Sequence, residues 1–159
     1  MSTTSKPLVL VVMGSASDQA VMAVTTETLE ALGIPFDVQI RSAHRTPAKL
    51  IATVEAFEAG GGKVIIAGAG LAAHLAGACA AHTTLPVIAV PLAGSDLGGF
   101  DALLSSVQMP KGVPVATVAI GKHGAVNAAL LAAQMLALAD ADLGTRLRSL
   151  LTEKFGREL

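Results

Sequence analysis

The sequence predicts an α/β fold with a central parallel sheet of about five strands and helices on both faces. Three observations support this fold class. Short apolar runs alternate with longer helical stretches, glycine or proline separates most of them, and the first run, residues 8–13, lacks polar alternation. Such a run is typical of a parallel strand buried on both sides, and the repeated alternation favours right-handed βαβ crossovers.

The elements follow one another with recognisable end signals. The predicted strands cover residues 8–13, 36–40, 63–67, 86–90 and 115–120. The first predicted helix ends near residue 32. The other predicted helices cover residues 47–59, 77–83, 100–107, 123–139 and 143–155. Gly33 and Pro35 end the first helix, Thr46 is expected to cap the second, and Pro47 suits its first position.

The composition limits the classes of function. The chain fits a single domain over residues 1–159, with a flexible N-terminus at 1–6 and a C-terminal helix within 140–159. Lysine plus arginine (11) and aspartate plus glutamate (12) nearly balance, which argues against a nucleic-acid partner. The uncharged stretch 64–95 contains prolines and histidines and divides into strands and helices, so we expect no membrane span. Cys79 is the only cysteine and no export signal is recognisable, so we expect a cytoplasmic protein without a disulfide.

One predicted helix lacks the polar face of a surface helix. Between Gly124 and Ala139 the only polar side chains are Asn127 and Gln134. A domain of this size cannot bury every helix within itself, so another surface must cover this one. The pattern therefore predicts a homo-oligomer with closely packed helical interfaces.

The first candidate site segment follows the first strand. Ser15 and Ser17 supply hydroxyl donors beside a helix N-terminus, where a phosphate could bind. Asp18 would repel a phosphate, so its better role is to accept hydrogen bonds from ribose hydroxyls. The alternative is that Ser17 or Asp18 only caps the helix.

The second segment, after the second strand, is more informative. It brings Ser42, His44 and Arg45 together at the carboxyl end of a strand. Arg45 can bind a phosphate through two donors, and an imidazole titrates near neutral pH. The segment predicts nucleotide binding with proton transfer, the alternative being an ordinary surface histidine and arginine.

The third segment is a loop of small residues at 68–75, in which His74 is the only ionisable group. A flat ligand could fit there, although a lone histidine in such a loop is often structural. His82 and His123 are expected to be helix-end residues and Cys79 a packed apolar residue. No group of side chains has metal-ligand spacing, so we expect no metal.

Four segments together resemble the N5-carboxyaminoimidazole ribonucleotide mutases of purine biosynthesis. The segments are MGSASD at 13–18, SAHRTP at 42–47, AGAGLAAHL at 67–75, and SVQMPKGVP at 106–114 followed by NAALLA at 127–132. The resemblance implies a three-layer flavodoxin-like fold, an octamer with sites at subunit junctions, and transfer of a carboxylate from N5 to C4 without metal or cofactor.

The resemblance also implies residue roles. His44 would be the general acid/base, and His74 would position the imidazole ring or the substrate carboxylate. The substrate-binding residues would be Ser15, Ser17, Asp18, Ser42, Arg45, Ala69, Gly70 and Leu75. A loop at 108–112 would close the pocket.

The chain departs from the common family pattern at Leu71, Ala76 and Ala102, where glycine, proline and serine are usual. Leu71 is expected to narrow the pocket.

Two other functions remain open. One is direct carboxylation of aminoimidazole ribonucleotide by CO2, against which the third segment argues, and the other is a non-catalytic nucleotide-binding module on the same fold.

Overall fold

A computed structural model describes residues 6–159 and shows one five-stranded parallel sheet between two layers of helices. The strands are β1 (Val9–Met13), β2 (Phe36–Ile40), β3 (Val64–Gly70), β4 (Val87–Leu92) and β5 (Ala116–Thr117). The helices are α1 (Gln19–Ala31), α2 (Pro47–Ala59), α3 (Leu75–Ala80), α4 (Phe100–Val107), α5 (Lys122–Ala137) and α6 (Ala141–Phe155). Apart from Lys6, the N-terminal segment predicted to be flexible lies outside the described residues.

The strand order β2-β1-β3-β4-β5 confirms the predicted flavodoxin-like fold. The chain reverses its direction across the sheet between β1 and β3, so the loops after these two strands diverge and leave a crevice. Val9 pairs with Phe36 on one side and with Val64 on the other, which places β1 inside the sheet. This position explains the unbroken apolar run in its sequence.

Alternate residues of β1 divide the hydrophobic core into two layers. Val9 and Val11 face α1, α5 and α6, whereas Leu10 and Val12 face α2 and α3. All four side chains are fully buried. Two covered sheet faces are what an all-parallel sheet requires.

The apolar helix α5 is only partly covered by its own chain, because its larger side chains are half-buried: Val126, Leu130, Leu131, Met135 and Leu136. Its buried alanines pack in the core layer that α1 and α6 also form, and Asn127 and Gln134 are exposed. Alanine lets two helix backbones approach closely, and the Thr25 hydroxyl on α1 donates a hydrogen bond of 2.9 Å to the Ala125 carbonyl. Half-buried apolar side chains thus remain on α5, and the homo-oligomer stays a prediction.

The strand and helix bounds differ from the predictions mainly from β3 onwards. β3 continues to Gly70, through residues expected to be loop, because Gly68 and Gly70 pair with Val90 and Leu92 of β4. β4 therefore also runs two residues beyond its predicted end, and α3 begins at Leu75, two residues before its predicted start.

The last strand is much shorter than the predicted 115–120. Only Ala116 and Thr117 pair with β4 in a regular ladder. Pro91 of β4 has no N–H to donate towards this edge, although its carbonyl accepts from the Gly121 N–H at 2.8 Å.

In the part of the chain that the structure describes, no helix has the length and apolar character needed to cross a membrane.

Candidate active site

A cavity of about 550 Å³ lies at the carboxyl ends of β1 to β4, beside the reversal point between β1 and β3. We call it the site cavity. The residues that line it are Gly14, Ser15, Ser17, Asp18, Ser42, Ala43, His44, Arg45, Ala69, Gly70, Leu71, Ala72, His74, Leu75 and Gly94. All ten residues predicted to bind substrate or act in catalysis are in this set, so the fold brings them together. Their individual roles stay predictions.

The loop after β1 is ordered by its own polar side chains. Ser15 Oγ accepts hydrogen bonds from the Ser17 backbone N–H (3.3 Å) and hydroxyl (3.0 Å), and Asp18 Oδ2 accepts from the Ser15 N–H at 2.9 Å. These bonds form a capping box on a short 3-10 turn, Ala16–Asp18, that leads into α1. The capping side chain is therefore Ser15 rather than Ser17, and Asp18 makes no side-chain capping bond to α1, so the alternative role of a simple helix cap is met only by the bond from the Ser15 N–H to Asp18.

Asp18 is a partly desolvated carboxylate. Burial raises its pKa, while hydrogen bonds from Ser15 and Ser17 and the positive charge of Arg45 act in the opposite direction. One of its two oxygens accepts the Ser15 N–H. A carboxylate has capacity for further hydrogen bonds, which suits a ligand that brings hydroxyl donors.

Arg45 connects the first and second loops. Its backbone N–H and Nε donate to Ser42 Oγ at 3.1 Å and 3.4 Å, and its guanidinium donates to the Gly14 carbonyl at 3.3 Å. The side chain is exposed, so its remaining N–H groups can bind a ligand. A positive charge thus lies across the loop whose hydroxyls come from Ser15 and Ser17.

Thr46 shapes the second loop but does not cap α2 with its side chain, which corrects the prediction. Its hydroxyl accepts from the Ser42 N–H at 3.1 Å and contacts the Ser42 carbonyl at 3.2 Å. Serine and threonine often form such local bonds in turns, so this role was available to sequence reasoning and was missed. Pro47 does occupy the first turn of α2, as predicted.

His44 and His74 are in direct contact. The distance from His44 Nε2 to His74 Nδ1 is 2.7 Å, and the two rings meet edge to face with their centroids 4.8 Å apart. A hydrogen bond between two ring nitrogens needs one N–H and one lone pair, so the pair shares a single proton at this contact. His74 is the N-cap residue of α3, but its side chain makes no capping hydrogen bond. Its ring is directed to His44 instead.

The third loop combines a close backbone approach with an unusual conformation. A Cβ on Gly70 would lie 3.1 Å from the Leu92 carbonyl oxygen, so a larger residue would disturb the end of β3. Leu71, the next residue, has φ +55°, a left-handed conformation that is uncommon for a bulky side chain. The sequence gives no sign of this conformation, because leucine is not a residue that favours it.

The loop at 108–112 does not reach the site cavity of its own chain, so its closure of a pocket at a subunit junction stays a prediction. None of its residues lines the cavity. Its Met109 packs instead against α3, where the methionine Cε would lie 3.0 Å from a Cβ on Gly77.

A larger cavity, of about 670 Å³, lies between β2 and α2. It contains Lys6, Lys49 and Arg41, but no histidine and none of the predicted site residues. The Arg41 guanidinium is already bonded, donating to Thr53 Oγ1 and to the Ile40 carbonyl at 2.9 Å each. The smaller cavity is therefore the better candidate for an active site.

Cys79 is expected to resist alkylation in the folded protein. It lies on α3 with its side chain fully buried in the core, and burial raises the pKa of its thiol to about 12. Iodoacetamide at pH 8 should therefore label it slowly in buffer and rapidly in denaturant, as mass spectrometry would measure. Complete labelling of the folded protein within minutes would contradict the packing described here.

Comparisons with known proteins agree over nearly the whole chain. A family model described as AIR carboxylase matches residues 8–155. A Pseudomonas aeruginosa protein named N5-carboxyaminoimidazole ribonucleotide mutase is 60% identical over 129 residues, which is 81% of this chain and 79% of that protein. A Brucella melitensis protein of the same name is 59% identical over 139 residues, 87% of this chain and 86% of that protein. The crystal structure of Treponema denticola PurE superimposes with a TM-score of 0.85 at 30% identity and covers 94% of this chain and 92% of that one.

Proposed function

The chain belongs to the AIR carboxylase family, and from this membership and the geometry of the site cavity we propose that it is an N5-carboxyaminoimidazole ribonucleotide mutase of purine biosynthesis. The observation that carries the proposal is the contact between His44 and His74 beside Arg45 in one cavity. A proton-transfer group and an anion-binding group in the same cavity suit a phosphorylated substrate whose heterocycle gains and loses a proton.

The nucleotide is bound by the first and second loops. Arg45 and the hydroxyls of Ser15 and Ser17 bind the phosphate, since they offer a charge and donors on the same side of the cavity. Asp18 accepts hydrogen bonds from the ribose hydroxyls, and Ser42 keeps the Arg45 side chain in place. Ala69, Gly70 and Leu75 give the cavity an apolar wall beside the heterocycle.

The reaction needs one proton that moves twice. Protonated His44 gives its proton to the carbamate nitrogen, the N–C bond breaks, and CO2 and aminoimidazole ribonucleotide remain in the cavity. C4 of the heterocycle then attacks CO2 to form the new C–C bond, and neutral His44 removes the proton from C4. The imidazole ends as it began, and the scheme uses neither metal nor cofactor.

His74 holds the His44 ring in position. The 2.7 Å bond between the two rings fixes the orientation of His44 in the exposed cavity. A ring free to rotate would spend less time in the geometry that proton transfer needs.

Separate substrates distinguish the mutase from the alternative carboxylase. We expect the purified protein to convert the carbamate nucleotide to the 4-carboxy nucleotide, followed by ultraviolet absorbance. Aminoimidazole ribonucleotide with CO2 should react much less efficiently at equal nucleotide concentration. The opposite preference would assign the protein to the direct carboxylases, and no reaction with either substrate would favour a binding module.

Replacement of Arg45 by alanine should mainly weaken substrate binding. Loss of a charged hydrogen-bond partner of the phosphate corresponds to roughly a 10- to 100-fold rise in KM, with a much smaller change in kcat. Arg41→Ala is the matched control, because its guanidinium binds Thr53 and lies outside the site cavity. If Arg45→Ala and Arg41→Ala had the same KM, phosphate binding would have to be assigned elsewhere.

The remaining proposals concern assembly and location. A homo-octamer with sites at subunit junctions is supported by a row of exposed apolar side chains on and before α4: Leu97, Phe100, Leu104 and Val107. The row begins in the loop that starts at Gly94, a residue of the site cavity. Light scattering should give eight times the mass of one chain, and a stable monomer would contradict the octamer.

We expect a cytoplasmic enzyme with a small-molecule nucleotide substrate and neither a nucleic-acid nor a membrane partner.

A further inference from the structure

The hydroxyl of Thr46 closes the turn that carries His44 and Arg45. Its Oγ1 accepts the Ser42 N–H at 3.1 Å and donates to the Ser42 carbonyl at 3.2 Å. The Thr46 N–H donates to the same carbonyl at 3.0 Å. Three hydrogen bonds therefore join the two ends of the turn at 42–46, and two of them need the hydroxyl.

This half-buried hydroxyl has no part in the proposed reaction and no other structural task. Thr46 does not line the site cavity, and its side chain does not cap α2. Its one proton and its acceptor capacity are directed to the backbone of Ser42 instead. The hydroxyl therefore fixes the orientation of Ser42.

Ser42 in turn determines where the Arg45 side chain lies. Ser42 Oγ accepts the Arg45 backbone N–H at 3.1 Å and its Nε at 3.4 Å, and the guanidinium extends to the Gly14 carbonyl at 3.3 Å. An arginine that is held in place before its ligand arrives loses less conformational freedom on binding. The position of the guanidinium thus depends on Thr46 through Ser42.

We propose that Thr46 is a positioning residue for substrate binding, which through Ser42 holds the Arg45 guanidinium where it meets the phosphate. This inference rests on the proposed function, in which Arg45 binds the phosphate. It concerns binding more than proton transfer, because the ring of His44 is held separately by its 2.7 Å bond to His74.

The test removes the hydroxyl and keeps the shape of the side chain. Thr46→Val can neither accept the Ser42 N–H nor donate to its carbonyl. The KM of the enzyme and its calorimetric Kd for the 4-carboxy nucleotide should rise roughly 3- to 10-fold, as expected for one neutral hydrogen bond. The kcat should change less than ~2-fold and keep its pH dependence. Thr46→Ser restores the hydroxyl and should bind the nucleotide like the native enzyme.

Thr53→Val is the matched control on the same helix. Thr53 is also half-buried, and its hydroxyl also contacts the carbonyl four residues earlier, at 2.7 Å, and accepts from an arginine, Arg41, at 2.9 Å. It lines the larger cavity and not the site cavity. This variant should keep the native KM and Kd. An equal rise in Thr53→Val and Thr46→Val would indicate a general disturbance of α2 and overturn the proposal.

A double-mutant cycle tests whether Thr46 acts through Arg45. Once Arg45 is replaced by alanine, the group that Thr46 positions is gone. Thr46→Val should then raise the Kd less than ~2-fold further, so the two changes should not be additive. If Thr46→Val weakened binding by the same factor with and without Arg45, its effect would not pass through the guanidinium, and the proposal would be overturned.

Binding and turnover separate this inference from the proposed function. If the native protein binds the 4-carboxy nucleotide but gives no turnover, the mutase assignment fails, while the Kd values still decide the role of Thr46. If the native protein does not bind the nucleotide, or Arg45→Ala binds it as tightly, phosphate binding by Arg45 fails and the positioning role fails with it. If Arg45→Ala binds weakly but Thr46→Val binds like the native enzyme, only the positioning role is overturned.

Discussion

Replacement of His44 by asparagine should lower kcat at least ~10²-fold while nucleotide binding is largely kept. Asparagine has a similar size and can still donate a hydrogen bond to His74, but it cannot exchange a proton near neutral pH. The phosphate-binding groups Arg45 and Ser15 are untouched by the change. Kinetics at saturating substrate and calorimetric titration with product measure the two properties separately.

His82→Asn is the matched control for this variant. His82 is also an exposed histidine, but it follows α3 and does not line the site cavity. The His82→Asn variant should have the activity of the native enzyme. If His44→Asn kept full activity, the proton would have to move through another group. If the native protein bound the nucleotide without any reaction, it would be the regulatory module.

Replacement of Gly124 by alanine should destabilise the fold by about 3 kcal/mol or more. An added Cβ would lie 1.6 Å from the backbone carbonyl oxygen of Ala119, where no flexible side chain can yield. The start of α5 would have to move away from the segment before it, and with it the alanines packed in the core. Thermal melting at a fixed protein concentration should show a midpoint lower by roughly 10 °C.

Gly144→Ala gives the opposite expectation in a neighbouring helix. The nearest atom to its added Cβ is the Ala137 Cβ at 3.9 Å, which is an ordinary contact. Alanine favours a helix over glycine, so this variant should gain about 0.5–1 kcal/mol. Equal melting midpoints for Gly124→Ala and the native protein would contradict the close approach of Gly124 to the Ala119 carbonyl.

Elements with chemical end signals were predictable from the sequence. The predicted bounds of β2, α2 and α4 agree with the structure, and for α2 Pro47 and Gly60 mark the two ends. The end of β3 was not predictable, because a run of glycine and alanine has neither strand nor loop character of its own. Its conformation depends on pairing with β4, which is a tertiary interaction.

The packing of α5 shows what composition leaves open. The sequence of this alanine-rich helix predicts a covering partner, and α1 and α6 of the same chain bury its alanines but leave its larger apolar side chains half-buried. Sequence periodicity identifies an apolar face without identifying the surface that packs on it. The exposed apolar row on and before α4 is a second such face, and the sequence does not identify what packs on it either.

The site residues could be placed in one cavity because parallel topology brings the carboxyl ends of neighbouring strands to the same edge. The distances and orientations of these residues relative to one another could not be predicted. His44 and His74 lie 30 positions apart, and their contact depends on which strands are adjacent and on the left-handed turn at Leu71. No local pattern encodes either condition.

A structure with the 4-carboxy nucleotide bound would examine the acting imidazole directly. We predict that a ring nitrogen of His44 lies within ~3.5 Å of C4 or of the amino nitrogen, with the phosphate bound to Arg45. If the ring were separated from the heterocycle by a layer of ordered water, or if another titratable group lay closer to C4, a proton shuttle at this position would be contradicted.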